Sequence, residues 1–230
     1  MPSILSSLRA RRLLAISAFV VASAAAGAQF APPPRGTLVH DPAALKPPAG
    51  ARVAIIEFED MECPDCARAN PLLLEASTKY KIPWVRHDFP LPFHAWSFQA
   101  AVNARFFDTK SKLLGDEYRN TVFASQTSIT SLEILNDFTQ KFAQSHKIAM
   151  PFAIDPQGKL AGLVKADYAL GQRIGIEHTP TIWVSTANSK GAPFVEVVDR
   201  SRLYQLIDQA LADTAPAPKA MAKPASASKP

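Results

Sequence analysis

The chain contains two cysteines, and they stand close together as Cys63-Pro64-Asp65-Cys66. Two residues between them allow the sulfurs to meet in a small ring, and the chemistry that such a pair supports is thiol–disulfide exchange. If the segment opens a helix, Cys63 lies at its N-terminal end and Cys66 one turn inside. Unpaired backbone donors and the helix dipole then favour a negative sulfur at Cys63, which makes it the attacked and the leaving atom. Pro64 fits the first helical position, because the N–H it lacks would have had no helical partner. Glu57 lies six residues upstream in an otherwise apolar run, so it is expected to be shielded from water. A shielded carboxyl has a raised pKa and can exchange a proton with the inner thiol of Cys66.

Two other uses of the pair are weaker. A closed zinc site needs four ligands, and His87, His94, His146 and His178 lack the spacing that would complete one. An inert structural disulfide is permitted in an exported protein, but closing so short a loop constrains the unfolded chain little. Redox work is therefore the favoured reading, with no metal and no organic cofactor required.

The elements that must position these residues follow from periodicity. Val53 to Phe58 is a short apolar run suited to a strand covered on both faces. Ala69, Leu72, Leu73, Ala76 and Tyr80 then recur at helical spacing, with Pro71 inside the pattern as an expected kink. Trp84 to Phe89 reads as a second strand, parallel to the first because a helix crosses between them. From about His94 the pattern turns helical. One stripe runs through Phe98, Ala101, Val102 and Phe106, and another through Leu135, Phe138 and Phe142 behind a capping box at Thr130-Ser131-Leu132-Glu133. A third comprises Leu163, Ala166, Leu170 and Ile174. Thr181 to Ser185 and Phe194 to Val198 are expected to pair around the turn-rich Asn188 to Pro193, and a last helix carries Leu203, Leu206, Ile207, Ala210 and Leu211. Trp84 and Trp183 are expected in the core, and the charged residues of Lys110 to Arg119 on a solvated face.

The ends of the chain have a different composition. Arg9, Arg11 and Arg12 precede an uncharged apolar run, Leu13 to Val21, and small residues ending Ala26-Gly27-Ala28. Residues 1–28 thus read as an export signal with cleavage expected after Ala28, which implies a soluble mature protein in the periplasm or an equivalent compartment; an uncleaved anchor is the alternative. The pair Arg11-Arg12 leaves a twin-arginine route open, but the residues after it fit poorly and the general secretory route is favoured. Proline-rich residues 29–50 and the Ala/Pro/Lys/Ser tail 214–230 read as flexible ends. Between them, 51–213 suffices for one domain. Loss of the signal arginines takes the formal charge from +5 to +2, and leaving aside the tail lysines Lys219, Lys223 and Lys229 takes it to −1. The basicity is terminal, so nucleic acid is not an expected partner.

With these residues in place the chain resembles the DsbA-like branch of the thioredoxin superfamily, from about Arg52 to Ala212. The Cys-Pro-Asp-Cys segment resembles its active-site motif, Glu57 falls where the family keeps a buried acid, Pro71 matches its helix-kinking proline, and Thr179-Pro180 resembles its cis-proline loop. Asp88-Phe89-Pro90-Leu91 with His94 and Trp96 also matches, and is expected to seat the helical block on the sheet. The resemblance implies an α/β thioredoxin fold, a central mixed sheet with a long helical insertion at about 93–155. It also implies that Pro64, Asp65, Thr179 and Pro180 face the substrate. The forward reaction would then transfer the Cys63–Cys66 disulfide to cysteines of exported proteins, with reoxidation by a quinone-linked membrane partner.

Two departures bear on strength. Asp65 stands where strongly oxidising relatives have histidine, and a carboxylate beside Cys63 predicts a less stable thiolate and a weaker oxidant. His178 stands where glycine is common, and a protonated imidazole there would offset Asp65. Asp65 and Thr179 lend some support to an isomerase or reductase instead. Isomerases of the superfamily carry a separate dimerisation domain, however, and residues 29–50 are too few for one, so a monomeric oxidase is preferred. A chaperone-like binding module on the same fold is the rival from another class.

Overall fold

The computed structural model of the chain describes residues 36–187 and 193–215. The expected signal with its cleavage site, residues 29–35, most of the expected turn at 188–193 and the tail from 216 onward lie outside the described residues.

Strand β1, Val53–Glu59, is buried along its whole length. It is the second strand of a four-stranded sheet ordered β2-β1-β3-β4. β2, Trp84–Asp88, pairs with it in parallel; β3, Thr181–Thr186, pairs antiparallel on its other side and carries β4, Phe194–Glu196. This is the mixed sheet expected. β4 is shorter than its apolar run: Val197 leaves the regular pairing, yet its side chain stays buried and its N–H still bonds Ile182 O at 2.8 Å.

Alternation along β1 divides the core. Val53 and Ile55 pack on one side with Ala69, Leu73 and Ala76 of α1, Pro64–Tyr80, and with Leu203, Ile207 and Ala210 of α6, Leu203–Asp213. Ile56 and Phe58 point the other way, into a cluster with Phe89, Trp183 and Ile174. By the same period of two, Glu57 and Glu59 fall on the α1 side, so the sheet buries two carboxylates beneath that helix.

Ile174 ends α5, Lys159–Ile174, whose buried face differs from the expected stripe. Val164, Gly171 and Ile174 are buried, whereas Leu163 is 52% exposed. Ile174 and the half-buried Leu170 of the expected stripe reach the sheet cluster, and the rest of the contact is made by residues that do not look apolar. Tyr168 stacks on Phe89 with ring centroids 4.6 Å apart, Gly171 admits the Phe89 ring, and Asp167 meets His87 and Arg105. α5 stops at Gly175, whose φ of +99° suits glycine, and whose absent Cβ would lie 2.8 Å from Leu38 O.

Between β2 and α5 lie α2, Ser97–Asp108, α3, Lys112–Ser125, and α4, Leu132–Ser145. They enclose a separate core that includes Phe107, Tyr118, Leu135 and Phe142. Phe98, expected in the buried stripe of α2, is 39% exposed, whereas Ala101, Val102 and Phe106 of that stripe are buried as expected. The cap of α4 is Ser131 rather than Thr130, its hydroxyl accepting from Ile134 N at 3.2 Å. No helix among the described residues is long and apolar enough to cross a membrane, and no cluster of potential metal ligands occurs among them.

Two expectations from composition are overturned. Residues 36–50 are not wholly a free linker: Leu45 is buried, His40 N bonds Ile174 O, and Thr37 bonds the carboxylate of Glu196. Lys110 to Arg119 is not wholly a solvated face either. Arg119 is 1% exposed and makes paired bonds to Asp108, at 2.9 and 3.1 Å, with Glu59 and Asp88 beyond. A buried guanidinium surrounded by carboxylates looks the same in sequence as a surface arginine.

Candidate active site

The loop that follows β1 delivers Cys63 to the start of α1. Cys63 is the residue before the first helical position, Pro64 occupies that position, and Cys66 lies within the first turn. This part of the chain is tied to the helical insertion from several directions. Asp60 accepts from Glu62 N, Leu91 N and His94 Nδ1, while Glu62 accepts from the N–H groups of Trp96 and Ser97 where α2 begins. Gln126, just beyond α3, donates to Met61 O at 2.8 Å and Cys63 O at 3.0 Å. Asp60, Glu62 and Gln126 are site-building residues that the sequence reading missed, since each acts on a partner distant in the chain.

The two sulfurs occupy unlike environments. Cys66 is fully buried and its pKa is raised well above the ordinary value by burial, by its neighbour Cys63 and by the charge of Glu57. Cys63, 8% exposed, has its pKa lowered from 9.0 to about 5. The chief cause is hydrogen bonding from Cys66, followed by Thr179 and the backbone N–H groups of Cys66 and Asp65, all acting against burial. The peptide bond Thr179–Pro180 is cis, and Thr179 O lies 3.3 Å from Cys63 Sγ. The Thr179 hydroxyl is buried with no hydrogen-bond partner among the described residues, and the contact between this loop and the sulfur is the Cys63 thiol donating to Thr179 O.

Glu57 is 1% exposed and accepts from Trp84 Nε1 at 2.9 Å. Burial raises its pKa well above the ordinary value, the charge of Glu59 adds to this, and Arg86 and the Trp84 bond oppose it. Trp84 is thus half-buried with a polar partner, not simply a core residue. Arg86 bonds Glu59, Asn70 and Asn120, and its guanidinium lies 4.2 Å over the Trp84 ring.

Asp65 departs from expectation. Its carboxylate is gripped by Arg200, with Nη2 to Oδ1 at 2.6 Å, and by Arg68 at 3.0 Å; Arg200 Nη1 also bonds Asp65 O at 3.1 Å. Despite some burial, these two guanidinium groups hold the Asp65 pKa below its ordinary range. Its charge therefore meets two guanidinium groups, which act against the expected weakening of the Cys63 thiolate. The cations that meet Asp65 are arginines, and the His178 ring sits 3.4 Å from the Thr181 hydroxyl. Asp65, His178, Pro180 and Arg200 line one shallow cleft with Ile182 and Glu196.

A thioredoxin sheet interrupted by a helical block is the architecture of DsbA-like proteins, and solved structures of that kind superpose on the chain. Wolbachia pipientis alpha-DsbA1 matches with a TM-score of 0.58 at 16% identity, over 74% of this chain and 90% of that one. BdbD from Bacillus subtilis, oxidised, matches at 0.58 and 19%, over 77% and 98%. A periplasmic thioredoxin-like protein from Salmonella enterica serovar Typhimurium matches at 0.57 and 16%, over 74% and 95%. No curated protein matches the sequence. The profile described as Thioredoxin matches residues 49–200, and the chain belongs to the thioredoxin family.

Proposed function

We propose that the chain is a thiol–disulfide oxidoreductase that works as an oxidase of exported proteins outside the cytoplasm. The observation that carries this is the contrast between the sulfurs: Cys63 partly accessible with a pKa of about 5, Cys66 fully buried with a raised one. A substrate thiolate attacks Cys63 Sγ of the disulfide, the S–S bond breaks, and Cys66 departs with the electron pair and takes a proton, which Glu57 is placed to supply. A second substrate thiolate then attacks the substrate sulfur of the mixed disulfide. Cys63 leaves as a thiolate, the substrate has lost two electrons, and the protein holds two thiols. A sulfur that is stable as an anion leaves easily, so the Cys63 environment favours giving the disulfide away, and supports oxidase over isomerase or reductase.

In this reading, the backbone of Thr179 and Pro180 offers polar groups to a substrate strand beside Cys63, with Pro64 and Asp65 on the opposite rim. The N-terminal signal pattern supports export, and the resemblance supports a quinone-linked membrane partner as reoxidant. The test is oxidation of a reduced, unfolded disulfide protein by the preformed disulfide form. The native protein should transfer its disulfide stoichiometrically, and Cys63→Ser should transfer none. Unimpaired activity in Cys63→Ser would point to a chaperone-like module, and a mostly dithiol state when thiols are trapped in the native compartment would point to a reductase or isomerase.

A further inference from the structure

Arg200 lies far from the cysteines in sequence, and no motif marks it. It opens a short turn, Arg200–Arg202, before α6. That turn is rigidly held: Val197 N bonds Ile182 O, and the Asp199 side chain accepts from Ser201 N and Ser201 Oγ. From this base the side chain, one-third exposed, reaches Asp65 with both terminal nitrogens, one on the main-chain oxygen and one on the carboxylate.

The main-chain contact matters more than its distance suggests. Asp65 C=O and Cys66 N–H belong to one peptide group, and in a trans peptide they point in opposite directions. The Cys66 N–H is one of the unpaired donors in the first turn of α1, whose capping residue is Cys63, and such donors favour an anionic sulfur there. A guanidinium on the oxygen therefore fixes and polarises the peptide whose N–H lies at the helix start beside Cys63. The second contact draws the Asp65 carboxylate onto a cation. Arg68 also reaches that carboxylate, but it is 66% exposed and makes no contact with the main chain. The remaining charged or titratable groups of the cleft are His178 and Glu196, and Glu196 is engaged by Thr37.

We propose that Arg200 is a positioning residue for the exchange reaction: by gripping Asp65 at main-chain oxygen and carboxylate together, it fixes the first-turn peptide that carries the Cys66 N–H beside Cys63 and so sets how readily that sulfur leaves. The inference rests on the proposed oxidoreductase reading and adds a residue to its machinery. A single point donor cannot satisfy both oxygens, so lysine replaces arginine only in part.

The experiment compares the full chain with Arg200→Met, Arg200→Lys and Asp65→Asn, and with Arg200→Met combined with Asp65→Asn. The Cys63 pKa is read from thiolate ultraviolet absorbance, and the redox equilibrium from exchange with glutathione. Arg200→Met should raise the Cys63 pKa and shift the equilibrium about tenfold towards the disulfide, about 30 mV. Arg200→Lys should recover part of this. In the Asp65→Asn background, Arg200→Met should still raise the pKa, because the main-chain oxygen remains to be lost. A merely structural role would lower the melting temperature and leave both readings unmoved. Unchanged pKa and equilibrium in Arg200→Met overturn the proposal. If that variant fails to fold, Arg200→Lys with wild-type values overturns it equally. An ordinary thiol pKa in the unmutated protein would instead remove the oxidoreductase reading itself, so the two failures are distinguishable.

Discussion

At the scale of residues, the reaction asks for two thiols of opposite character a few ångströms apart, and burial and hydrogen bonding provide them. Cys63 caps the first turn of α1, where the anion is favoured and its pKa falls to about 5, while Cys66 is enclosed beside a buried carboxyl. The acidity of that carboxyl depends in turn on Trp84, whose indole N–H favours the ionised form of Glu57. Replacing Trp84 by Phe removes the donor and keeps most of the ring. Glu57 should then hold its proton to higher pH and be a poorer acceptor for the Cys66 proton. The attack of Cys66 on a mixed disulfide of Cys63 with glutathione should show its acid limb at higher pH. At neutral pH the rate should fall roughly tenfold, the worth of about 1.4 kcal/mol from one lost hydrogen bond to a charged group. A pH profile identical to the unmutated protein would show that the indole N–H does not govern this proton. Cys63, Cys66 and Glu57 are legible in the sequence because their chemistry is local to one strand, loop and helix start. Trp84 and Arg200 are not, because their partners depend on strand pairing and on a turn more than a hundred residues away.

At the scale of elements, the same distinction explains which parts of the fold could be read in advance. The faces of α1, α4 and α6 are apolar stripes packed on apolar neighbours, and periodicity finds such faces. α5 meets the sheet through Ile174 and Leu170 of its expected stripe but also through a tyrosine, an aspartate and a glycine, which carry no hydrophobic period, so periodicity finds only part of that face. Gly171 tests this account. A Cβ there would lie 2.5 Å from two ring atoms of Phe89 and 3.1 Å from Phe58 Cδ1, and Phe89 is held between Tyr168 and Phe58 with little room to move. Gly171→Ala gains about 1 kcal/mol of intrinsic helix preference but forces the ring aside, at a cost of about 1–3 kcal/mol. Denaturant unfolding should therefore show a net loss of stability at unchanged m-value. A variant as stable as the parent, or more so, would mean that α5 does not rest on Phe89 at this point.

At the scale of the whole molecule, the Cys63 anion links redox state to folding. Its pKa is about 5 in the native dithiol, against an ordinary value of 9.0. Between those values the unfolded dithiol binds more protons than the native one, so the stability of the reduced protein rises with pH across that window, and this contribution is lost as pH falls through about 5. The disulfide form has no thiol and lacks the effect. Glu57 works in the opposite sense, because a carboxyl raised above 4.5 loses stability as pH climbs from there. It does so in both redox forms, however, and only the part due to repulsion from Cys63 distinguishes them. Cys66, raised above 9.0, matters only beyond the window. Urea midpoints of the reduced and disulfide forms, measured at pH 4.5, 7 and 8.5, should thus separate in favour of the reduced form as pH rises. Parallel curves would mean that the fold does not respond to the charge on Cys63. Under the proposed oxidase function, a widening gap is the thermodynamic counterpart of donating the disulfide: the folded dithiol is the more stable product, and that gain would accompany each transfer to a substrate.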